Sequence, residues 1–433
     1  MSNIYQNEAT DTSPTPAVPS EMLVSLGEIA ESAKEGLLAL AVGAGMQVMY
    51  AMMDADVAAL VGLKGRHIAD RVAVRHGGED GSVTLGGRRI PVRRPRVRAA
   101  DGTGEVALPS YGLFSGTEVL GRMALERMLA GLSTRRYGHG LEPVGEQVEA
   151  TAASTSRSAV SRRFVAATEH ALAELMAADL STLDLVALMV DGVHFAEHTC
   201  VVALGIGIDG TKHPLALVEG STENATLVRE LLVGLRERNL EVTRPILVVL
   251  DGAKALSRAV RDVFDKPVIH RCQEHKIRNV RDRLPEKLRL LVQQRMRQAY
   301  HADSALAAEA KLTALAKELD KTHPGAAASL REGLQETLTV LRLGVPPTLA
   351  RTLRSTNPIE SLISICRNHS TNVKRWRDGQ MALRWCAAGM VEATAQFRRV
   401  NGHLHLPKLR DALERHFRET VTPERHNQTK TAA

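Results

Sequence analysis

Two short apolar runs, each ending in an Asp-Gly pair, constrain the fold of this chain more than any other feature. Residues 185–191 read Leu-Val-Ala-Leu-Met-Val-Asp and are followed by Gly192. Residues 246–251 read Ile-Leu-Val-Val-Leu-Asp and are followed by Gly252. Continuous apolar runs of this length, bounded by turn residues, are typical of strands that are buried on both faces. The sequence therefore predicts one sheet with two core strands that each end in a carboxylate.

The two carboxylates, Asp191 and Asp251, would meet at one point if their strands were neighbours in the sheet. Hard divalent cations prefer clusters of such oxygen ligands. The alternative is that each aspartate only starts a turn with the glycine behind it, which is a common use of Asp-Gly. Because the same ending occurs on two core strands, we favour a shared metal site.

The elements around these strands predict an α/β domain with a mixed sheet over residues 183–284. The second and third of three consecutive strands are joined by a hairpin turn at Asp209-Gly210, and helices then alternate with strands. This order is the layout of a ribonuclease-H-like fold. The predicted strands are 185–191, 199–208, 212–218, 246–251 and 267–270, and the predicted helices are 224–238, 253–263 and one from 272 onward.

Residues 285–350 interrupt this pattern with a helical block, which we interpret as an all-helical insertion. The second part of the α/β domain, 351–420, is then expected to begin with a helix that has Asn357 as its cap and Pro358 in its first turn. This helix carries a third carboxylate, Glu360. Asn357 and Glu360 also have the spacing of a capping box, so a purely structural role for Glu360 is the alternative.

A Cys-x-x-His pair follows the last predicted strand. Cys272 and His275 have the spacing of half a zinc site, but no second pair of zinc ligands lies near them in the sequence. We therefore expect both residues to pack or hydrogen-bond beside the Asp251 strand and not to hold stoichiometric zinc.

The region 21–110 combines helices with the most basic segment of the chain. Apolar residues at helical spacing predict two helices between residues 21 and 61. Gly86-Gly87 predicts a hairpin turn, and Pro91 and Pro95 indicate that its second strand is an edge strand. We favour a phosphate-contacting surface over a solvated charged face, because acidic residues are nearly absent between residues 88 and 98. Its arginines are Arg88, Arg89, Arg93, Arg94, Arg96 and Arg98.

Residues 111–182 are predicted to be helical, with two helix starts that combine short polar side chains with arginines. One start is expected at Ser133 and the other between Ser154 and Ser161. Such starts resemble the recognition helix of a helix-turn-helix, although serine and threonine also cap helices for structural reasons alone. The candidate DNA contacts are Arg135, Arg136, Arg157, Arg162 and Arg163.

The composition agrees with a folded protein that has a polyanionic partner. The 433 residues are 44% hydrophobic and carry a formal net charge of +7. Aromatic residues make up only 3%, so base stacking cannot be the main mode of recognition. Four scattered cysteines and the lack of a long apolar run indicate a reducing cytoplasm and no membrane. Residues 1–20 and 421–433 are predicted to be disordered tails.

These motifs together resemble those of the mutator-type transposases of bacterial insertion sequences. The most specific is the Arg-Cys-x-x-His-x-x-Arg-Asn segment that begins at Arg271. The other matching motifs are Val190-Asp191-Gly192, Ala203-Leu204-Gly205-Ile206 with Asp209-Gly210, Leu250-Asp251-Gly252, and Thr356-Asn357-Pro358-Ile359-Glu360.

The resemblance implies a ribonuclease-H-like catalytic domain in which Asp191, Asp251 and Glu360 bind Mg²⁺, with Mn²⁺ as a substitute. Cys272 and His275 would be a signature pair. The implied activity is transposition: binding the double-stranded terminal inverted repeats of an element, cleaving its ends, and joining the 3′-hydroxyl to target DNA, as a homodimer or larger assembly on paired ends. Two other classes stay open, a non-catalytic helix-turn-helix regulator and a ribonuclease-H-like nuclease that never joins strands.

Overall fold

The computed structural model describes residues 36–66, 70–220 and 225–428, with side chains described up to residue 419. The chain divides into two compact units, Met1–Ala167 and Thr168–Ala433. The first unit contains α1 (Leu37–Val61), β1 (Ala73–Leu85), β2 (Arg88–Ala99), β3 (Glu105–Val106), α2 (Pro109–Ser115), α3 (Glu118–Leu129), α4 (Glu146–Thr151) and the start of α5 (Arg157–Ala177).

The hairpin predicted around Gly86-Gly87 is confirmed. β1 and β2 pair antiparallel as far as Leu85 and Arg88, so the two glycines alone form the turn. Both have positive φ, 51° and 82°, which suits the type I′ turn of a tight hairpin. β2 is the middle strand of three and not the predicted edge strand. β3 nevertheless pairs only with Val97 and Arg98, beyond both prolines, so no ladder hydrogen bond to β3 is lost.

One face of α1 packs on this hairpin. Met49 and Met53 lie in a core with Val83, and Val57 lies in a second core with Val97. By length and composition alone α1 could span a membrane, but for a single helix this is weak evidence because core helices pass the same test. A single helix occupies residues 37–61, and residues 21–35 of the predicted helix pair lie outside the described residues.

The prediction that a helix starts at Ser133 is wrong. The described chain forms a turn there, followed by the 3₁₀ helix Gly138–Gly140. Glycines on either side of this segment disfavour a regular helix. The second predicted start is confirmed, because α5 begins at Arg157 and Ser156 Oγ accepts the backbone N–H of Ala159 at 3.3 Å.

The second unit is built on a mixed five-stranded sheet, as the sequence predicted. β4 (Leu185–Phe195), β5 (His198–Gly207) and β6 (Lys212–Gly220) are antiparallel, and β7 (Ile246–Leu250) and β8 (Pro267–Arg271) run parallel to β4. The strand order is β6-β5-β4-β7-β8, so the two strands that carry the aspartates are neighbours. The helices α6 (Ala225–Glu237) and α7 (Lys254–Val263) connect the parallel strands.

β4 is longer than predicted and does not end at Asp191. Asp191 is paired with Val202 and Gly192 with Val201, and the antiparallel ladder continues to Phe195. The long partner β5 supplies these extra pairs, which a short parallel partner such as β7 does not. β7 ends at Leu250, directly before Asp251, as the sequence predicted.

A helical block follows β8 and has its own core. Leu312, Leu315 and Leu330 pack there with Ile277 and Val280, two residues of the helix that follows β8. The helices in this stretch are α8 (Gln273–Arg281), α9 (Glu286–Tyr300), α10 (Ala305–Asp320), α11 (Pro324–Arg331), α12 (Leu334–Thr337), α13 (Thr339–Arg342) and α14 (Pro347–Leu353).

The buried side chain of Lys276 joins this block to α8. Its Nζ donates to the carbonyl oxygens of Ser329 and Glu332 at the end of α11. Burial lowers the pKa of Lys276 to about 8. A cation at the end of a helix also interacts favourably with the helix dipole.

Both faces of the sheet are covered by helices, which explains why its strands read as continuous apolar runs. On one face α6 and α7 contribute Leu231, Leu235 and Val260 to the core. On the other face lie α15 (Asn357–His369), α16 (Gly379–Gln396) and α17 (Leu406–Gln428). α17 extends past the predicted start of the tail at residue 421, and residues 429–433 lie outside the described chain.

Candidate active site

Asp191 and Asp251 occupy matching positions on neighbouring parallel strands. In the β4–β7 ladder Met189 is paired with Val249, and each aspartate follows two residues later. Side chains two residues apart on a strand point to the same face. Met189 and Val249 belong to the core on the face covered by α15. The register therefore places Asp191 on that face of β4, and Asp251, the first residue after β7, at the same level of the neighbouring strand.

Local backbone groups hold both aspartates. Asp191 Oδ1 accepts the N–H of Gly192 at 2.8 Å, and Asp251 Oδ1 accepts the N–H of Ala253 at 2.8 Å. The second bond makes an Asx turn, so the turn role considered for Asp251 is present. Gly252 has φ +106°, and a Cβ there would lie 2.0 Å from Arg271 Nε. Only glycine fits this position, which fixes the chain behind Asp251.

Glu360 does not form the capping box that its spacing allows. Thr356, and not Asn357, is the N-cap residue of α15, and the N–H of Asn357 donates to Ser355 Oγ at 3.5 Å. The start of the helix is one residue earlier than expected, with Pro358 at its second position. Glu360 Oε1 instead accepts a hydrogen bond from Thr356 Oγ1 at 2.6 Å. The side chain of Glu360 is thus held by a neighbouring hydroxyl and not by the cap amide.

Thr356 also connects Glu360 to the Cys-x-x-His pair. Its hydroxyl lies 3.4 Å from Cys272 Sγ and 3.2 Å from His275 Nδ1. Cys272 follows β8 and caps α8, because its Sγ accepts the N–H of His275 at 3.5 Å. The potential ligand atoms of Cys272, His275 and Glu360 all lie within 4.8 Å of one another.

Sequence reasoning missed this cluster. It placed Cys272 and His275 beside the Asp251 strand and gave Thr356 no role. The threonine lies in the Thr-Asn-Pro-x-Glu motif, so the signal was present, but the motif does not reveal which way the hydroxyl points.

The electrostatics of the cluster link it to Asp191. The pKa of His275 is raised, first by its hydrogen bond with Cys272 and also by the negative charges of Glu360 and Asp191, while burial opposes the shift. Burial raises the pKa of Cys272, but hydrogen bonds from His275 and Thr356 outweigh it and leave the pKa below its usual value. Asp191 and Glu360 therefore act on the same imidazole.

The three carboxylates have the chemistry of a divalent cation site. Asp191, Asp251 and Glu360 are each half-buried, so each is accessible to an ion. Within the described ranges, neither Asp251 nor Glu360 has an arginine or lysine within 4.0 Å. His275 Nδ1 lies 3.7 Å from Glu360 Oε1 and is the cationic group that Glu360 faces when the imidazole is protonated. Hard oxygen donors without an arginine or lysine partner fit Mg²⁺ or Mn²⁺. Cys272 and His275 would suit a softer ion, but the Thr356 hydroxyl already joins them to Glu360.

Several arginines predicted to contact DNA are committed to the fold of the first unit. Arg94 and Arg96 each form ion pairs with both Glu79 and Glu105, which lie on the two neighbouring strands. Arg88 is buried, and its Nε lies 2.7 Å from Glu149. The expectation that acidic residues are scarce here holds for the sequence of β2 but not for the strands beside it.

Of the other arginines that were predicted to contact DNA, three contact groups within the first unit and the rest are exposed without an ion pair to any described residue. Arg89 donates to Ser82 Oγ at 3.0 Å, Arg93 lies 3.4 Å from Asp80, and Arg163 donates to the carbonyl of Ser154 at 2.7 Å. The remaining ones are exposed and have no ion pair with any described residue; they are Arg98, Arg135, Arg136, Arg157 and Arg162.

A family model supports the reading of these motifs. The model of the mutator family of transposases matches residues 22–400. The chain belongs to this family. The match contains all three carboxylates, the Cys-x-x-His pair and Thr356, and the resemblance stated from the motifs is confirmed.

Individual mutator-family relatives are similar over much of their length. The chain is 31% identical over 277 residues to the transposase for insertion sequence element IS6120 of Mycolicibacterium smegmatis, covering 61% of this chain and 84% of the relative. It is 25% identical over 367 residues to the transposase for ISRM5 of Rhizobium meliloti, covering 84% and 90%. It is 26% identical over 278 residues to the transposase for IS256 in transposon Tn4001 of Staphylococcus aureus, covering 62% and 68%. The family and these relatives identify the chain as a transposase.

Proposed function

We propose that this transposase uses Asp191, Asp251 and Glu360 to hold Mg²⁺, with Mn²⁺ as a substitute, and to transfer DNA strands. It binds the double-stranded terminal inverted repeats of its insertion sequence, cleaves at the element ends and joins the freed 3′-hydroxyl to target DNA. The observation that carries the proposal is the placement of the carboxylates. Asp191 lies in β4, Asp251 directly follows the neighbouring strand β7, and Glu360 is on a helix that covers the Met189 and Val249 face of the sheet.

The sheet supports assigning a ribonuclease-H-like catalytic domain. Its three antiparallel strands come first, α6 then leads to β7, and α7 connects β7 to the parallel strand β8. The helices α9 to α13 then form the all-helical insertion, placed between the strand that leads to Asp251 and the helix that carries Glu360.

The reaction requires that both the entering and the leaving oxygen of a phosphodiester be stabilised. Metal ions bound between converging carboxylates supply that stabilisation. The chain supplies the placement of the carboxylates. Asp191 is fixed because the residues before and after it are paired in the β4–β5 ladder. Asp251 is fixed by the turn at Gly252, and the side chain of Glu360 by the hydroxyl of Thr356. Cys272 and His275 act as positioning residues for Thr356 and Glu360.

DNA binding is assigned to the first unit and to the basic surfaces of the second. Of the two predicted helix starts only that of α5 is formed, and its exposed arginines include Arg157 and Arg162. Contacts of this kind to phosphates fix the register of the protein on the duplex without reading its sequence. The transposase acts on DNA in the cytoplasm, and it does so as a homodimer or larger assembly on two element ends.

The test is a strand-transfer assay with the element end that flanks this coding region. A labelled duplex of that end is incubated with the full-length protein, target DNA and Mg²⁺ or Mn²⁺. We expect metal-dependent cleavage at the end and a joined product. Cleavage without joined product would assign a nuclease, and binding without metal-dependent cleavage would assign a DNA-binding regulator.

A further inference from the structure

A basic cavity lies at the start of the helix that carries Glu360, inside the second unit. Its volume is about 480 Å³, and four cationic side chains line it, those of Lys212, Arg351, Arg398 and Arg399. Asn357 and Pro358, the first two residues of α15, form another part of the wall. The described lining contains no aspartate or glutamate.

The four cations are not neutralised by the fold. None of them has a carboxylate within 4.0 Å among the residues that the structure describes. Asp209 is near enough for the charge of Arg399 to lower the pKa of its carboxyl, after the larger effect of the Thr211 hydrogen bonds. Both carboxylate oxygens of Asp209 are engaged by Thr211, at 2.9 and 2.5 Å. Like charges that converge in one cavity repel each other, and a bound anion relieves that repulsion.

The cavity is held in shape by bonds that need no ligand. The two residues that follow Arg398 and Arg399 are anchored, because Val400 N–H donates to the Gly210 carbonyl at 3.0 Å and Thr352 Oγ1 donates to the Asn401 carbonyl at 3.1 Å. Lys212 Nζ lies 4.4 Å from the centroid of the Phe397 ring. A site that is formed before binding loses less entropy when its ligand arrives.

We propose that this cavity binds a backbone phosphate of the DNA strand that is cut. The inference rests on the proposed function, since it takes Glu360 to lie at the reacting phosphate. Asn357 in the cavity wall and Glu360 are three residues apart on α15, and such residues are neighbours on one helix face. A phosphate held in the cavity would therefore lie about one helix turn from Glu360. Arginine and lysine recognise phosphate whichever base is attached.

The first experiment measures how salt weakens the binding of the full-length protein to the duplex of its element end, in metal-free buffer so that nothing is cleaved. The test variant is Arg351→Ala with Arg398→Ala and Arg399→Ala. The control variant, Lys287→Ala with Lys311→Ala and Lys317→Ala, removes the same charge from exposed positions of the helical block. We expect the test variant to bind about ten-fold more weakly and to lower the salt slope by about one or more, and the control to change affinity less than about two-fold.

A second experiment locates the contacted phosphate on the DNA, first with the wild-type protein and then with the test variant. Phosphates of the duplex are ethylated at random, and the fraction that still binds is mapped on each strand. We expect ethylation beside the cleavage position of the cut strand to block binding by wild type and to lose that effect in the test variant. An unchanged salt slope in the test variant, an equal loss in the control, or no interference near the cleavage position would overturn the inference and leave the proposed function standing. If wild type fails to bind the duplex at all, the proposed function is overturned as well.

Discussion

The hairpin of the first unit and the basic cavity of the second are both rich in arginine, but only the hairpin neutralises its own charges. Arg94 and Arg96 are held by Glu79 and Glu105 on neighbouring strands. Arg351, Arg398 and Arg399 have no such partner among the described residues. The difference teaches that a basic segment predicts a binding surface only after the charges of its neighbours in the fold have been counted.

The same division applies to the acidic residues. Glu79 and Glu105 are paired with arginines, whereas Asp251 and Glu360 have no arginine or lysine within 4.0 Å in the described chain. Paired charges should matter for stability and open charges for activity. The predictions on the carboxylates, the hairpin arginines and Glu105 test this division, and those on Thr356 and zinc test how Glu360 is held.

The largest effect is expected at the open carboxylates. Asp191→Asn, Asp251→Asn and Glu360→Gln keep the shape of each side chain but remove the charge that holds a cation. Each should reduce strand joining roughly a thousand-fold, since metal ions supply several kcal/mol of transition-state stabilisation. Binding to the element end and the melting temperature should stay close to those of wild type.

Asp209→Asn is the matched control for these variants. Asp209 also precedes a glycine, and its Oδ1 accepts the N–H of Thr211 at 2.9 Å, as in a simple turn. We expect this variant to join strands normally. Substantial joining by one of the three site variants would remove that residue from the metal site, and joining by all three would end the mechanism.

A smaller effect is expected at Thr356. Thr356→Val keeps the shape but removes the hydroxyl that holds Glu360 Oε1 at 2.6 Å. We expect joining to fall about ten-fold, because a mobile ligand binds the cation less well. The Mg²⁺ concentration for half-maximal activity should rise, and Thr356→Ser should restore both values. An unchanged Mg²⁺ requirement in Thr356→Val would show that the hydroxyl does not position Glu360.

The hairpin arginines should differ among themselves. Replacing Arg94, Arg96 and Arg98 together should weaken DNA binding for all sequences alike, as expected of phosphate contacts. Most of that loss should come from exposed Arg98, whose single replacement should reduce the salt slope by about one. Salt titration of the Arg98→Ala variant and of the Arg94→Ala, Arg96→Ala double variant decides this. A larger loss in the double variant would show that the glutamates do not occupy those two arginines.

The paired glutamates should affect stability and its pH dependence. A hydrogen bond from Arg96 lowers the pKa of Glu105, although burial opposes the shift. A carboxyl with a lowered pKa stabilises the fold above its usual pKa, and this stabilisation is lost as the pH falls through the lowered value. Glu105→Gln should therefore melt at a lower temperature than wild type at pH 7, and the difference should shrink on acidification below about pH 4. A difference that is independent of pH would contradict the ion pair.

The last prediction concerns zinc at the Cys-x-x-His pair. Cys272 and His275 have the spacing of only half a structural zinc site, so we expect purified protein to contain no stoichiometric zinc. Elemental analysis measures this directly. One zinc per chain that disappears in Cys272→Ala would show that the three side chains form a metal site.

The sequence predicted the elements whose signals are local. The apolar runs at residues 185 and 246 gave the two neighbouring strands, and Gly86-Gly87 gave the hairpin. It failed where a partner distant in sequence decides the outcome. The pairs with β5 extend β4 past Asp191, and Glu79 and Glu105 reach the hairpin arginines from adjacent strands. The contact between Thr356 and Cys272 joins residues that only the folded sheet brings together.

The position of the helical block in the sequence determines when, during translation, the three carboxylates can come together. Asp191 and Asp251 are made first, but Glu360 follows only after the whole block α9 to α13, and its helix must then pack on the sheet. Domains form in the order in which the ribosome releases them, and contacts between distant residues form late. On the proposed function, a nascent or interrupted chain thus holds only part of its cation-binding set. The transposase would in this way stay inert until nearly all of its second unit has been translated and folded.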